Sequence, residues 1–342
     1  MSKVQCISLF SGAGGLDVGA KQAGVHFQAC VENDPDAAQT LRLNVGRSAG
    51  IVYERSIADV DFRPFRDGDD RIVIGGPPCQ PFSKNGYWVK NENRLIERDP
   101  RNMLSEFLRT VSEVQPNGFL FENVDSLLHP TNKQSLHDFL AMAEGLGYRC
   151  TTYRANAADF GVPQKRKRVF VFGVRKNGTA VPPPVPTHAA QPDRSGIAAY
   201  LGVGEFISEF GDASYSEPSE SAEHGTYYKE LVAVPPGANY IALSRLEGYS
   251  GRTFRSGGRF WNFLHKLHPD LPSITIAAQP GPWVGPFHWT NRRLRVPEAA
   301  AIQTFPKGYK FAGSRRAIQK QIGNAVPCLL GKAMVGHLLE HL

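Results

Sequence analysis

Short apolar runs alternate with helix-length segments through the first half of this chain, and that alternation restricts the fold more than any other feature. Val4 to Phe10, Phe27 to Glu32, Arg71 to Ile74, Gly118 to Glu122, Tyr148 to Arg154 and Val169 to Val174 have the length and apolar content of strands. Between them Asp34 to Asn44, Asn102 to Val114 and Lys133 to Leu146 have the length and spacing of helices. A helix between two strands carries the chain back across the sheet, so the pattern predicts an α/β fold: a mostly parallel sheet covered on both faces. Ligands of such sheets bind outside the carboxyl ends of the strands, and function is expected in the loops that follow them.

The alternation stops at Arg175. Residues 177–192 contain Pro182, Pro183, Pro184, Pro186 and Pro192 and read as a stiff connection, which places a domain boundary there. Beyond it, residues 205–223 hold six acids and no base. Residues 245–268 hold five bases (Arg245, Arg252, Arg255, Arg259, Lys266) against Glu247, interleaved with Tyr249, Phe254, Phe260, Trp261 and Phe263. Arginine mixed with aromatic rings suits a nucleic-acid face. The whole chain has 39 Lys and Arg against 32 Asp and Glu, a net +7, which is consistent with a polyanionic partner. A short helix is expected over Pro297 to Gln303, and an apolar helix from about Ala325 to Leu339 closes the chain.

With 41% hydrophobic and 21% charged residues, the mixture is that of a globular protein and excludes disorder and fibre. The long uncharged stretch Leu271 to Asn291 carries Pro272, Pro280, Pro282 and Pro286 and is no continuous membrane helix. Gly12, Gly14 and Gly15 interrupt the apolar start, Asp17 follows, and no small-residue cleavage site lies beyond, so a cytoplasmic protein without a membrane partner is expected. The five cysteines, at 6, 30, 79, 150 and 328, are widely spaced and form no CxxC pair, so neither a disulfide framework nor a metal is expected. Four sit inside apolar runs. Cys79 does not.

Three loops stand where strand ends predict chemistry. Phe10-Ser-Gly-Ala-Gly-Gly15 follows the first strand; its glycines allow close approach of a ligand, but position 17 is Asp, so the spacing is not that of a dinucleotide loop. Glu32 ends the second strand, where a carboxylate can accept hydrogen bonds from both hydroxyls of a ribose. Together they suggest an adenosine-type cofactor without a diphosphate. Gly75-Gly-Pro-Pro-Cys-Gln-Pro-Phe-Ser83 follows the strand ending at Ile74 and puts the Cys79 thiol at the same edge, in a nucleophile's position. Glu122 ends another strand, where a carboxyl can donate or accept a proton. Gln164-Lys-Arg-Lys-Arg168 precedes the strand at Val169 and suits carbonyl or phosphate oxygens.

In this order, the blocks FSGAGG, END, GGPPCQPFS, ENV, QKRKR, EAAAIQTFP and QIGNAVP resemble the cytosine-C5 DNA methyltransferase family of bacterial restriction-modification systems. The likeness runs from residue 4 to about 335, apart from a variable region over 177–290. It implies a Rossmann-like S-adenosylmethionine-dependent domain over 1–176, completed by 314–342. A smaller target-recognition domain and hinge would then occupy 177–313. The implied reaction is methyl transfer to carbon 5 of a cytosine flipped out of duplex DNA, with S-adenosylhomocysteine as the other product. Carbon 5 is a poor nucleophile until a thiolate adds to carbon 6. Cys79 matches that nucleophile. Glu122 matches the residue that binds ring nitrogen 3 and the exocyclic amine, Asn123 helps shape the pocket, and Arg168 holds the cytosine carbonyl. Arg166 stands close by as a second cation able to lower the thiol pKa.

For the cofactor, the resemblance implies Phe10, Gly12, Gly14, Gly15 and Leu16 around the methionine part and Glu32 with Asn33 at the ribose. Ile57, Pro78 and Leu104 would wall the pocket, and Asn324 with Val326 would return from the C-terminal segment. Gln80 and Ser83 would lie by the flipped nucleotide and its phosphates, and Arg252, Arg255, Arg259, Trp261, Arg292 and Arg293 are the expected DNA contacts. Two positions depart from the family pattern. An acid usually ends the third strand, yet Ser56 precedes Ile57 here, which leaves adenine to Asp59 or to backbone groups. A Thr or Ser usually caps the helix at Glu298, yet Arg295 stands there, leaving Pro297 as the main start signal. A monomer acting on double-stranded DNA is expected. The alternatives are the tRNA-methylating branch, a silent DNA-binding relative and, more distantly, a nicotinamide oxidoreductase.

Overall fold

The computed structural model of the chain describes residues 4–45, 51–66, 70–78, 103–175, 180–192, 196–252, 254 and 260–342. Among them, β1 (Gln5–Leu9), β2 (His26–Glu32), β3 (Ile51–Glu54), β4 (Arg71–Gly75), β5 (Gly118–Val124), β6 (Tyr148–Asn156) and β7 (Lys167–Arg175) form one sheet in the order β3-β2-β1-β4-β5-β7-β6. Pairs from β3 across to β5 are parallel. β7 runs antiparallel to both β5 and β6. The sheet is mostly parallel, as the alternation predicts, with β7 as the reversed strand.

Alternate residues of each strand enter different cores, which is the two-residue period of a pleated sheet. Val73 joins Phe119, Phe121, Val169 and Val171 on one face, while Ile72 and Ile74 join Leu120, Phe170 and Phe172 on the other. Burial on both faces explains why these strands read as unbroken apolar runs. Of the helices α1 (Gly15–Gln22), α2 (Pro35–Val45), α3 (Leu104–Val114) and α4 (Lys133–Gly145), the last two cover the first face. There Phe107 of α3 meets the edges of Phe119 and Phe121 at 5.8 and 5.5 Å between ring centres. Full burial of one such ring contributes about 2 kcal/mol. Asp34, read from sequence as the first residue of a helix, instead caps α2, its carboxylate accepting from the Asp36 and Ala37 amides.

Within the second half, β8 (His188–Ala189) and β9 (Ala198–Ala199) pair as a short ribbon, and α5 (Gly204–Ile207), α6 (Tyr228–Ala233) and α7 (Val296–Ile302) are brief helices. Rings of Tyr227, Tyr240, Phe254, Phe263, Trp283 and Phe287 build a separate aromatic core. Phe254 and Phe263 belong to that core, so these two of the five rings read as a nucleic-acid face serve packing.

The apolar helix expected from about Ala325 to Leu339 is present, starting three residues later, and a further helix precedes it. Ser314 caps α8 (Arg315–Asn324) through a bond from the Ala317 amide, and α9 (Cys328–Leu339) starts after Pro327, which cannot donate to the preceding turn. Taken together, Arg315–Leu339 is long and apolar enough to cross a membrane, but more than half of its most apolar window is buried in the protein. α9 lies against α1. A β-carbon on Gly15 would fall 2.3 Å from the Val326 carbonyl oxygen, and one on Gly19 would fall 2.4 Å from the Cys328 oxygen and 2.5 Å from the Lys332 nitrogen. Two glycines one turn apart therefore let the C-terminal segment press directly on the first helix.

Candidate active site

Strand order reverses between β1 and β4, since β1 continues outward to β2 on one side and β4 to β5 on the other. The crevice at such a switch point is where ligands bind in open α/β sheets. β1 and β4 pair in register with Leu9 beside Gly75, so the loops starting at Phe10 and at Gly76 leave the sheet side by side. The positions that sequence reasoning marked as cofactor loop and nucleophile loop are neighbours for that reason. Cys79, Gln80 and Ser83 lie outside the described residues, as do Arg255 and Arg259.

Around Phe10 the backbone is bent: Phe10 has φ 54° and Gly12 φ 55°. The turn brings the Gly12 amide to Glu32, donating to Oε2 at 2.7 Å, while the Asp34 amide donates to Oε1 at 2.8 Å. Burial raises the Glu32 pKa, and these two amide bonds oppose the rise. The carboxylate is thus fixed with each oxygen holding one backbone donor and a second lone pair left for a polyol. A β-carbon at Gly12 would meet nothing within 4 Å, so this position is open. Gly14 and Gly15 are not: a β-carbon there would strike Leu41 and the Tyr309 hydroxyl, or the Val326 carbonyl. Of the three glycines read as ligand contacts, Gly12 has open space on its β-carbon side, and Gly14 and Gly15 are also required there by packing. Tyr309, which the sequence did not single out, fastens the loop by donating to the Ala13 carbonyl at 2.7 Å.

The remaining cofactor candidates differ in burial. Leu16, Ile57, Leu104 and Val326 are buried, whereas Asn33, Pro78 and Asn324 are exposed. Ser56 caps the turn Ile57–Asp59, accepting from the Ala58 amide at 3.3 Å, and Asp59 is exposed. A buried carboxylate with spare acceptor capacity, an open glycine and an apolar wall fit the adenosine and methionine parts of S-adenosylmethionine.

At the end of β5 the carboxyl of Glu122 is buried against the loop that leads to Cys79. A β-carbon on Gly76 would fall 2.5 Å from Glu122 Oε2, and the Asn123 amide donates to the Pro77 carbonyl at 3.2 Å. Asn123 is itself buried, and through this bond it braces that loop. Arg168 Nε stands 2.9 Å from Glu122 Oε1. Burial raises the Glu122 pKa, and Arg168 and then Arg166 work against the rise. The reversal of β7 creates this pair: Val124 faces Arg168 across β5 and β7, so the first residues of an antiparallel strand arrive at the carboxyl edge of the parallel ones.

Arg166 is fully buried and donates to the Gly323 carbonyl at 2.7 Å and to the Ile276 carbonyl at 3.3 Å, so it joins the C-terminal half to the sheet while its charge acts on Glu122 and Arg168. Gln164 and Gln303, which sequence reasoning passed over, extend the same join through a 3.1 Å bond between their amides, with Gln303 also donating to the Ile322 carbonyl. Their only sequence signal is that each lies inside one of the quoted blocks.

Of the described DNA candidates, Trp261 is 52% exposed beside Phe260 at 61%, and Arg293 is exposed. Arg252 is exposed as well, 3.6 Å from Glu230 and over the Tyr227 ring at 5.1 Å. Arg292, expected among the DNA contacts, instead grips the fully buried Glu298 with bonds of 2.8 and 2.6 Å. Arg295, read as a missing cap, is better explained by what it binds. Its amide donates to Glu298 at 2.8 Å, and its guanidinium bonds Glu220, Ser216 and the Phe210 and Asp212 carbonyls.

A crystal structure of a DNMT2 mutant from Spodoptera frugiperda superposes with a TM-score of 0.65 at 15% identity, covering 98% of this chain and 100% of that one, which establishes the shared fold. Type II methyltransferase M.SacI of Streptomyces achromogenes is 38% identical over 98% of this chain and 93% of its own length. Type II methyltransferase M1.HphI of Haemophilus parahaemolyticus is 34% identical over 98% and 86% respectively. The family model of C-5 cytosine-specific DNA methylases matches residues 4–340. The chain belongs to the C-5 cytosine-specific DNA methylases.

Proposed function

We propose that the protein is the modification enzyme of a restriction-modification system, methylating carbon 5 of one cytosine within a specific duplex DNA sequence. The observation that carries this reading is the buried Glu122–Arg168 pair packed on the Gly76-Pro77 segment, two residues ahead of Cys79. A carboxyl whose pKa burial has raised can hold a proton at ring nitrogen 3, and the neighbouring guanidinium can hold the carbonyl oxygen of the same ring. With nitrogen 3 protonated and the carbonyl anchored, carbon 6 accepts the Cys79 thiolate and carbon 5 becomes an enamine carbon. Glu32 and the Phe10–Gly12 turn would hold S-adenosylmethionine, which would supply the methyl group for carbon 5 and leave as S-adenosylhomocysteine. Loss of the carbon 5 proton to a base then expels the thiolate and restores the aromatic ring.

A base inside a duplex cannot enter this crevice, so the cytosine must be flipped out, at a cost of a few kcal/mol that protein contacts offset. The exposure of Arg252, Arg293 and Trp261 supports them as such contacts, and Arg255 and Arg259 complete the expected set. The return of α9 to α1, and of α8 to α2 through the Thr40–Gln321 bond, supports reading 1–176 with 314–342 as the catalytic unit and 177–313 as target recognition and hinge. All of the site belongs to one chain, which favours a monomer.

Fluorine at carbon 5 cannot leave as a proton does, so a duplex carrying 5-fluorocytosine at the target should trap the adduct. The expected result is a denaturation-resistant protein–DNA band that needs S-adenosylmethionine and vanishes in Cys79→Ser. A band that survives Cys79→Ser overturns the assignment of the nucleophile.

A further inference from the structure

We propose that the last turn of α9 is a binding site for a divalent transition-metal ion of zinc's class, formed by His337, Glu340 and His341. One ligand atom from each of these residues lies within 4.8 Å of the others. The spacing puts them together, since residues three and four apart share a helix face.

The hydrogen bonds of the two imidazoles select the atoms that would bind. His337 Nε2 lies 2.7 Å from the Pro182 carbonyl and His341 Nδ1 lies 2.8 Å from the His337 carbonyl. A carbonyl only accepts, so each of those nitrogens carries the proton. That leaves His337 Nδ1 and His341 Nε2 as lone pairs, on rings 4.7 Å apart. A backbone carbonyl fixing the distal N–H is the usual outer support of a metal-bound histidine, because it sets the tautomer and raises the basicity of the other nitrogen. His337 is held further by the edge of Phe172 at 5.7 Å. Glu340 Oε2 lies 3.8 Å from His337 Nδ1, and at 73% side-chain exposure the carboxylate can move the remaining distance inward.

Two imidazoles and one carboxylate suit zinc and its neighbours and do not suit magnesium or calcium, which need oxygen ligands. The carbonyl end of α9 adds negative partial charge at the same place. An ion there would bind the end of α9 beside the proline-rich connection, since His337 already holds Pro182. Its role would be that of a clip on the link between the two halves of the chain.

The test uses the full untagged chain, stripped with a chelator and titrated calorimetrically with zinc sulfate. Wild type is expected to bind one equivalent and to melt at a higher temperature with zinc, because a ligand selective for the folded state stabilises it. His341→Ala and Glu340→Gln, neither of which disturbs the Pro182 contact, should each weaken binding at least tenfold and remove the thermal shift. Equal affinity and stoichiometry in His341→Ala would place the zinc elsewhere, and no binding by wild type at 100-fold excess would remove the site. Either result overturns the proposal.

Discussion

Gly19→Ala sets two well-understood effects against each other. In the middle of a helix, alanine is favoured over glycine by about 1 kcal/mol, so propensity alone predicts a more stable protein. The packing predicts the reverse. The added methyl would lie 2.4 Å from the Cys328 oxygen and 2.5 Å from the Lys332 nitrogen, both backbone atoms of α9 or its start, which no rotamer change can move aside. Reaching ordinary contact needs a separation of about 1 Å between α1 and α9, and overpacking of this kind costs about 1–3 kcal/mol, or more where backbone must shift. Sterics should therefore win, leaving the variant less stable by about 1–2 kcal/mol. Because α9 follows directly on Asn324–Val326, the same shift should also weaken S-adenosylmethionine binding. Urea unfolding followed by fluorescence, with the midpoint compared at unchanged slope, reads the first effect, and calorimetric titration of the cofactor reads the second. A variant as stable as wild type, with unchanged cofactor affinity, would refute the close helix contact and the structural reading of these glycines.

Other expected outcomes follow from the same contacts. Glu122→Gln should lower the methyl-transfer rate by about 10²–10⁴-fold at neutral pH while cofactor binding, measured by titration, stays within twofold. Asp17 is fully buried, and burial pushes its carboxyl up to about 6 against opposing bonds led by Ser8. The folded state thus binds this proton more tightly than the unfolded one, so stability falls as pH rises from about 4 to about 6, by about 3 kcal/mol in total. Asp17→Asn should flatten that part of the stability profile, and an unchanged profile would exclude Asp17 as its source. Arg292→Ala leaves Glu298 buried without its guanidinium and should destabilise the fold by about 3 kcal/mol in urea. Arg293→Ala should leave the unfolding midpoint in place and reduce the salt dependence of DNA binding by about one unit of slope.

Particular residues show what the sequence could reveal. Glu32 and Glu122 were legible because strand ends are readable from apolar runs, and a polar residue closing such a run stands at the ligand edge. Arg168 was placed at the site by resemblance, whereas the physical reason is the reversal of β7, a pairing direction that local pattern does not encode. Gly15 read as part of one loop and Gly19 carried no signal, but the atoms that require both glycines belong to residues 325–332. Arg292 and Arg293 are adjacent and chemically identical; one neutralises buried Glu298 and the other faces outward, and only tertiary structure separates them. Phe254 and Phe263 likewise read as a binding face because periodicity is weak in a region of short helices and turns, where burial depends on distant partners. α8 was missed because its sequence is mostly polar, with only Ala317, Ile318 and Ile322 to mark an apolar face, although Ser314 already marked its start.

The central claim is that this chain methylates carbon 5 of a cytosine in duplex DNA through Cys79. It is tested most directly by offering labelled S-adenosylmethionine with unmethylated duplex DNA and, separately, bulk tRNA, then mapping the product at single-base resolution for wild type and Cys79→Ser. The account predicts label on carbon 5 of cytosines within one short duplex sequence, and none from Cys79→Ser although that variant still binds the cofactor. Label confined to tRNA, or undiminished transfer by Cys79→Ser, would contradict it.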